Sequence, residues 1–482
     1  VAIAGFPLFT PPVVKANNVR MKQFFLLLAA GVIVLHSLPV NAQLSHDADS
    51  VTIRKLYNEA LQNGKTDSNL RYLTSRIGAR ISGSPQAQQT IDWAMRTMGQ
   101  YHPDSIYLQP LMVPHWVRGA KETSYFTSKG RKVTMDIVGL GGSIGTNSTL
   151  TAPVVEVTSW AALDALTDDQ VRGKFVFFNR PMDPIEIETF KAYLAVVDQR
   201  TQGAIAASKK GAVGALVRSL TLAKDDHPHT GAMSYDTAVK KVPAAALSTN
   251  SADKLSEALK KDPALRYSLH MNCLQLPDVL SYNVIAELKG SVYPNEYVTV
   301  GAHIDTWDLS EGASDDGVGI VQVMEVLRLF KTTGIQPERT IRMILYMNEE
   351  SGAHGAIKYA EQAGLKAEKH LAVIESDAGG FAPRGFRIET SAAGMAQFQQ
   401  WRTLFTPYKA DDIQLQQRGV DLVPMRGQAK ALISLDTDDS RIFYIHHSAI
   451  DTYDKVNPRE VLMGAATIAA MVALINKHGL QE

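Results

Sequence analysis

His303, Asp305, Asp315, Glu349, Glu350, Asp377 and the pair His446-His447 are the residues whose types and placement suit chemistry. His303 and Asp305 follow the apolar run Tyr297 to Ala302, Glu349 and Glu350 follow Ile341 to Met347, and Asp377 follows Leu371 to Ser376. Asp315 lies in the glycine-flanked loop Gly312-Ala313-Ser314-Asp315-Asp316-Gly317, and His446-His447 follow Ile442 to Ile445. Each alone has a plain explanation, an Asp before a helix being usually an N-cap. Together their imidazoles and carboxylates suffice for two divalent ions sharing one carboxylate and a water. Two Zn²⁺ against the carboxylates of Asp315, Glu350 and Asp377 plus a hydroxide give neutrality, which offsets the cost of burying like charges together. Two metals about 3.5–4 Å apart lower the pKa of a water and polarise a carbonyl. Glu349, beside a ligand and not needed as one, is the natural proton shuttle.

The elements that must position these residues read as strand, loop, helix, repeated from Val284 onward, which predicts a mostly parallel mixed sheet flanked by helices. Ligands then gather at the carboxyl ends of the strands, where open α/β sheets bind them. Helices are predicted over Val318 to Phe330, where Ile320, Val323, Leu327 and Phe330 share a face, around Gly355 to Gln362, and from Asn457-Pro458 to Asn476.

The earlier half divides in two. From Gln43 to about Gly145 helices precede a strand near Ser105 to Val113, and the glycines at 139, 141, 142 and 145 mark a domain boundary. Residues 146–267 then read as a small inserted α/β module, with strands at Val154 to Val157, Phe175 to Phe178 and Val213 to Val217. Residues 43–145 and 268–482 form the two parts of the principal domain. The run Asp225-Asp226-His227-Pro228-His229 reads as an exposed loop rather than as a metal site.

Met21 and Lys22, the apolar stretch Phe24 to Leu35 and Val40-Asn41-Ala42 before Gln43 read as a signal peptide with a small-residue cleavage site. Residues 1–20 carry no structural weight in this reading. The apolar run is short of the ~20 residues that span a bilayer, and no later segment reads as coming closer. A secreted or periplasmic protein without a stable membrane anchor is expected. Cys273 is the only cysteine, so neither an intrachain disulfide nor a multi-thiolate zinc site can form. With 49 basic against 49 acidic residues there is no net field to attract nucleic acid. The 482 residues, 45% hydrophobic and 20% charged, have ample material for a large core.

The run from His303 through Asp315, then Asn348-Glu349-Glu350, Glu375-Ser376-Asp377 and His446-His447-Ser448, resembles the co-catalytic di-zinc exopeptidases, most closely their carboxypeptidase Q (plasma glutamate carboxypeptidase) branch. Arg80-Ile81-Ser82-Gly83-Ser84, Val113-Pro114-His115-Trp116, Pro228-His229-Thr230-Gly231 and Trp307-Asp308 also look like segments of that branch. The resemblance implies that His303 and Asp377 hold one zinc, that Glu350 and His447 hold the other, and that Asp315 bridges them. It implies Glu349 as general base and then acid, and Asp305 as the carboxylate that orients His303. His447 is chosen over His446 because Asp451 follows it at the family's spacing. The insert over 146–267 would be a protease-associated domain, and the His229-Thr230-Gly231 loop would cover the substrate. A homodimer is compatible with the family. The implied substrates are dipeptides or short peptides with a free terminus, the terminus itself being left open between carboxypeptidase and aminopeptidase. A glutaminyl cyclase with one zinc and a non-catalytic receptor-like homologue are the rivals. The full set of five ligands, together with Glu349, speaks against both.

Overall fold

The computed structural model describes residues 40–481 apart from Gln417, so most of the expected leader lies outside the described residues. Residues 1–51 and 52–482 form separate compact units. The first contributes to the description only the start of helix Val40–Asn63; the sheets and the candidate site belong to the second.

The principal sheet has eight strands: β1 (Ser105–Val117), β2 (Leu274–Leu288), β3 (Tyr293–His303), β4 (Arg339–Tyr346), β5 (Lys369–Glu375), β6 (Pro383–Thr390), β7 (Asp412–Leu415) and β8 (Ala429–Thr437). Their spatial order is β1-β2-β4-β3-β5-β8-β6-β7. The central run β4-β3-β5-β8 is parallel, while β1, β2 and β6 are set antiparallel to their inner neighbours. Every residue of β4 is buried, as a strand covered on both faces requires. The sequence-predicted strands of this sheet are β1, β3, β4 and β5; the long β2 and the three strands β6, β7 and β8 carry no such clear signal.

Helices Val318–Thr333 and Pro458–His478 pack together on the sheet. The second is long and apolar enough to cross a membrane, contrary to the expectation that no segment after the leader approaches such a length. Its Val461, Ile468, Met471, Val472 and Ile475 are buried in the core, so it is a buried core helix. Gly464 lets the two helices approach, since a Cβ there would run into the Gln322 amide. That amide donates to the Val461 carbonyl (3.0 Å) and accepts from Ser376 Oγ (2.5 Å), tying both helices to the segment that carries Asp377.

A second sheet of eight strands runs Arg131–Thr134, Thr123–Ser128, Arg266–His270, Leu150–Val157, Phe175–Phe178, Gly214–Arg218, Ala244–Leu247, Ile137–Gly139 in spatial order. It starts at Thr123, so the boundary read at residue 145 is corrected. The glycines there are not a loose connection: Gly145 donates to the Cys273 carbonyl (3.0 Å), Gly141 donates to that of Gly231 (3.0 Å), and a side chain at Gly141 would collide with the Trp307 ring. Close packing, not a linker, explains them. The seam between the sheets is a shared apolar cluster containing Trp116, Trp307 and Cys273. Beside it the Arg118 guanidinium pairs with Asp308 (2.6 Å) and donates to the Gly139 carbonyl (2.5 Å).

Replacing Gly464 by Ala is expected to force the two core helices apart at a cost of about 1–3 kcal/mol, read as a lower midpoint in denaturant-induced unfolding.

Candidate metal centre

The ends of β3, β4 and β5 deliver His303, the Asn348-Glu349-Glu350 turn and Asp377 to one edge, where the 312–317 loop and the 446–448 segment meet them. Asp315 stands in the middle. Its Oδ1 lies 3.2 Å from His303 Nε2, which is itself 3.6 Å from Asp377 Oδ1. Its Oδ2 lies 3.3 Å from His447 Nε2, which is 3.0 Å from Glu350 Oε2. One carboxylate thus faces two separate imidazole-carboxylate pairs with its two oxygens.

His446 stacks on His447 with ring centroids 3.6 Å apart, and its Nε2 is 3.7 Å from Asp315 Oδ2. It therefore has one longer carboxylate contact where His447 has two. Asp316, the other carboxylate of the loop, is spent on the backbone, accepting from the amides of His303 (3.1 Å) and Gly319 (3.0 Å).

The expectation that the Asp305 carboxylate orients His303 is corrected by the hydrogen bonds. His303 Nδ1 donates to the Asp305 backbone carbonyl at 2.9 Å, whereas the nearer carboxylate oxygen stands 3.8 Å away. That oxygen, Oδ1, accepts instead from the amides of Asn348 (2.7 Å) and Glu349 (3.0 Å). Asn348 takes the left-handed conformation (φ 71°) and its side-chain amide donates to Ser82 Oγ at 2.9 Å. Asp305 thus shapes the turn that aims Glu349 and Glu350.

The loop bearing Asp315 is held from two further directions. Asp451 accepts from the amides of Ser314 (2.8 Å) and Asp315 (3.0 Å). Arg80, fully buried, donates to the carbonyls of Ile304 (2.6 Å), Glu311 (2.8 Å) and Gly312 (3.0 Å). Burial lowers its guanidinium to about 10. Neither role is visible in sequence, because both depend on contacts between distant segments. The only signal was that both residues lie in stretches of family-like pattern.

The His229-Thr230-Gly231 loop reaches this edge from the second sheet. His229 Nδ1 donates to the His446 carbonyl (2.6 Å), Thr230 donates its amide to the His447 carbonyl (2.9 Å), and His229 bridges to Ser448 in antiparallel fashion. His229 is buried, and burial drops its imidazole to about 3. The exposed-loop reading of this end of the run is corrected: the residues brace the His447 backbone.

Burial pushes Asp315 upward, but the imidazoles of His303 and His447 outweigh it and hold it well below the usual carboxylate range. Burial drives Glu349 well above its ordinary value, reinforced by Glu350 and Asp377. Glu350 and Asp377 are raised for the same first reason. Buried His303 Nε2 and Glu350 Oε1 lack hydrogen-bond partners. Imidazole and carboxylate donors that leave such atoms unsatisfied match the donor set of zinc.

A chain with this site is similar, over 83% of its length, to human carboxypeptidase Q, at 32% identity and with 83% of that protein covered. Peptidase family M28 is matched by residues 283–472. The chain belongs to peptidase family M28. It is accordingly a metallopeptidase, and the family implies zinc. Among solved M28 structures, the peptidase M28 precursor from Shewanella amazonensis SB2B is 30% identical, with a TM-score of 0.85 over 91% of this chain and 99% of that one. The zinc aminopeptidase BSAP from Bacillus subtilis shares the fold, with a TM-score of 0.63 at 17% identity over 88% of this chain and 96% of that one.

Asp305→Ala is expected to release the Asn348-Glu349 turn and lower peptidase turnover by at least about tenfold, two charge-assisted hydrogen bonds being lost. Asp305→Asn, which keeps an oxygen acceptor for the two amides, is expected to retain most of the activity. Steady-state kinetics of the two variants compares them.

Proposed function

We propose that this metallopeptidase is a di-zinc exopeptidase that hydrolyses dipeptides or short peptides with a free terminus, as the name of its relative carboxypeptidase Q suggests. The observation that carries the reading is Asp315, whose two oxygens face His303 and Asp377 on one side and His447 and Glu350 on the other. In this reading His303 and Asp377 hold one zinc, Glu350 and His447 the other, and Asp315 bridges. When bound, the ions lower the pKa of a water and polarise the peptide carbonyl.

The chain's own residues do the rest. Glu349 borders a cavity that opens onto the metal-centre residues, and its backbone is fixed by Asp305. Its carboxylate takes a proton from the attacking water and delivers it to the leaving amine nitrogen. Burial, which favours the neutral acid, suits the second half of that cycle. Asp451 and Arg80 keep the bridging carboxylate from turning away. We further read residues 21–42 as an export signal, and the second-sheet region as a protease-associated insert; N-terminal sequencing of exported protein tests the former.

The decisive experiment measures zinc by elemental analysis and incubates the protein with unblocked dipeptides and with tripeptides blocked at either end. Two zincs per chain with release from one free terminus is the expected result, and its polarity separates carboxypeptidase from aminopeptidase. Glu349→Gln should keep both metals and lower turnover by roughly two to four powers of ten. Near-normal turnover in that variant would remove the shuttle. Asp315→Asn should lose bound zinc, because the bridge loses its charge; two tightly held zincs in that protein would count against bridging.

A further inference from the structure

Most of the buried acids at the metal-centre edge have partners: Asp305, Asp316 and Asp451 accept backbone amides, and Asp315, Glu350 and Asp377 face imidazoles. Glu375 and Asp421 are not answered in this way. The Asp421 amide donates to Glu375 Oε1 at 3.2 Å. Glu375 Oε2 and both carboxylate oxygens of Asp421 are buried with no hydrogen-bond partner among the described residues.

An uncharged group from a different strand points into the same place. Register sets Tyr346 of β4 opposite His303, and Glu375 of β5 opposite Gly301, so both side chains leave one face of the sheet on either side of β3. Gly301 lets the tyrosine ring lean across β3 toward Glu375, since a Cβ there would stand 2.4 Å from the ring's Cε2. The hydroxyl that the ring carries is fully buried and unpartnered. Burial first, then Tyr359, Asp421 and Glu375, hold it well above the ordinary tyrosine range. Space is kept open beside these groups. At Gly419 (φ 97°) a Cβ would stand 1.8 Å from Glu375 Oε2, and both residues border the metal-centre cavity of about 860 Å³.

Two neighbouring carboxylates buried without a counter-charge are costly. Burial raises Asp421 to about 8 and pushes Glu375 well above the carboxylate range, with the Asp421 charge adding to the latter. A cation between them removes that cost. The free donors are all oxygens, with no imidazole or thiolate among them, which suits a hard cation rather than zinc. Magnesium demands a near-ideal octahedron and gives up its waters reluctantly, whereas calcium takes about six to eight oxygens in flexible geometry. Asp421 Oδ1 and Oδ2, Glu375 Oε2 and the Tyr346 hydroxyl supply part of such a shell, and the cavity admits water for the rest.

We propose that Asp421, Glu375 and the Tyr346 hydroxyl hold a calcium ion beside Gly419, in a site separate from the centre built on His303, Asp315 and His447. The proposal goes beyond the peptidase reading and does not rest on it.

The test titrates calcium chloride into zinc-saturated protein by calorimetry, and follows terbium, which takes the place of calcium, by the emission that a neighbouring tyrosine ring sensitises. One calcium per chain is expected, with an unfolding midpoint that rises with calcium concentration. Asp421→Asn, which removes a charged ligand at nearly constant shape, should weaken calcium at least roughly tenfold while zinc content stays that of the parent. Tyr346→Phe should bind calcium more weakly and lose most of the terbium emission. A parent that takes up no calcium and whose midpoint does not move overturns the proposal, and the two acids would then share protons and water. Calcium that binds Asp421→Asn and Tyr346→Phe as tightly as the parent also overturns it, by placing the ion on other acids. Should Asp421→Asn fail to fold, terbium decides: lost emission in Tyr346→Phe supports the site, and parent-level emission removes it. A protein that binds calcium as expected yet cleaves no peptide leaves this site standing and removes the peptidase reading.

Discussion

Repulsion among buried carboxylates is the constraint on which this structure turns. Asp305, Asp316, Glu350, Glu375, Asp421 and Asp451 are all buried around one sheet edge, with Asp315, Glu349 and Asp377 only slightly more open. Burial pushes Glu349, Asp316, Glu375 and Asp421 upward, and it is the first cause in each case. Such a concentration of acid is stable only where positive charge and amide donors answer it. Two imidazoles, the Arg80 guanidinium and backbone amides from the 303–319 and 348–349 stretches provide part of that answer. Divalent cations would provide the remainder.

The architecture follows from the need to meet that constraint at one place. Parallel central strands bring three ligand-bearing turns to one edge, and each turn is then fixed by a residue from elsewhere. Asp305 grips the turn after β4, Asp451 and Arg80 grip the loop after β3, and Gln322 grips Ser376 after β5. The 446–448 segment is no strand end at all and takes its support from His229 and Thr230. The second sheet is therefore part of how the centre is built.

Much of this was legible in the sequence where a residue's type and its position after an apolar run coincide. The ends of β3, β4 and β5 met that condition, and so His303, Glu349, Glu350 and Asp377 could be singled out. What escaped was decided across long separations. The Asp305 side chain sits two residues from the imidazole it was expected to orient, yet it turns to the amides of Asn348 and Glu349, which no local pattern reports. The glycines at 139–145 misled because glycine serves both open turns and crowded contacts, and here a tryptophan ring decides between them.

The Arg80 contacts bear on the order in which the chain becomes an enzyme. Its guanidinium is satisfied by carbonyls 224 to 232 residues further along the sequence. During synthesis from the N-terminus, that charge must stay in water until the segment from Ile304 to Gly312 has emerged and closed over it. The loop bearing Asp315 then sets through a long-range closure, a kind of contact that forms late because its loop entropy must be met first. Until then the acids of this edge remain hydrated and separate, and a nascent chain has no assembled centre with which to cut peptides before folding is complete.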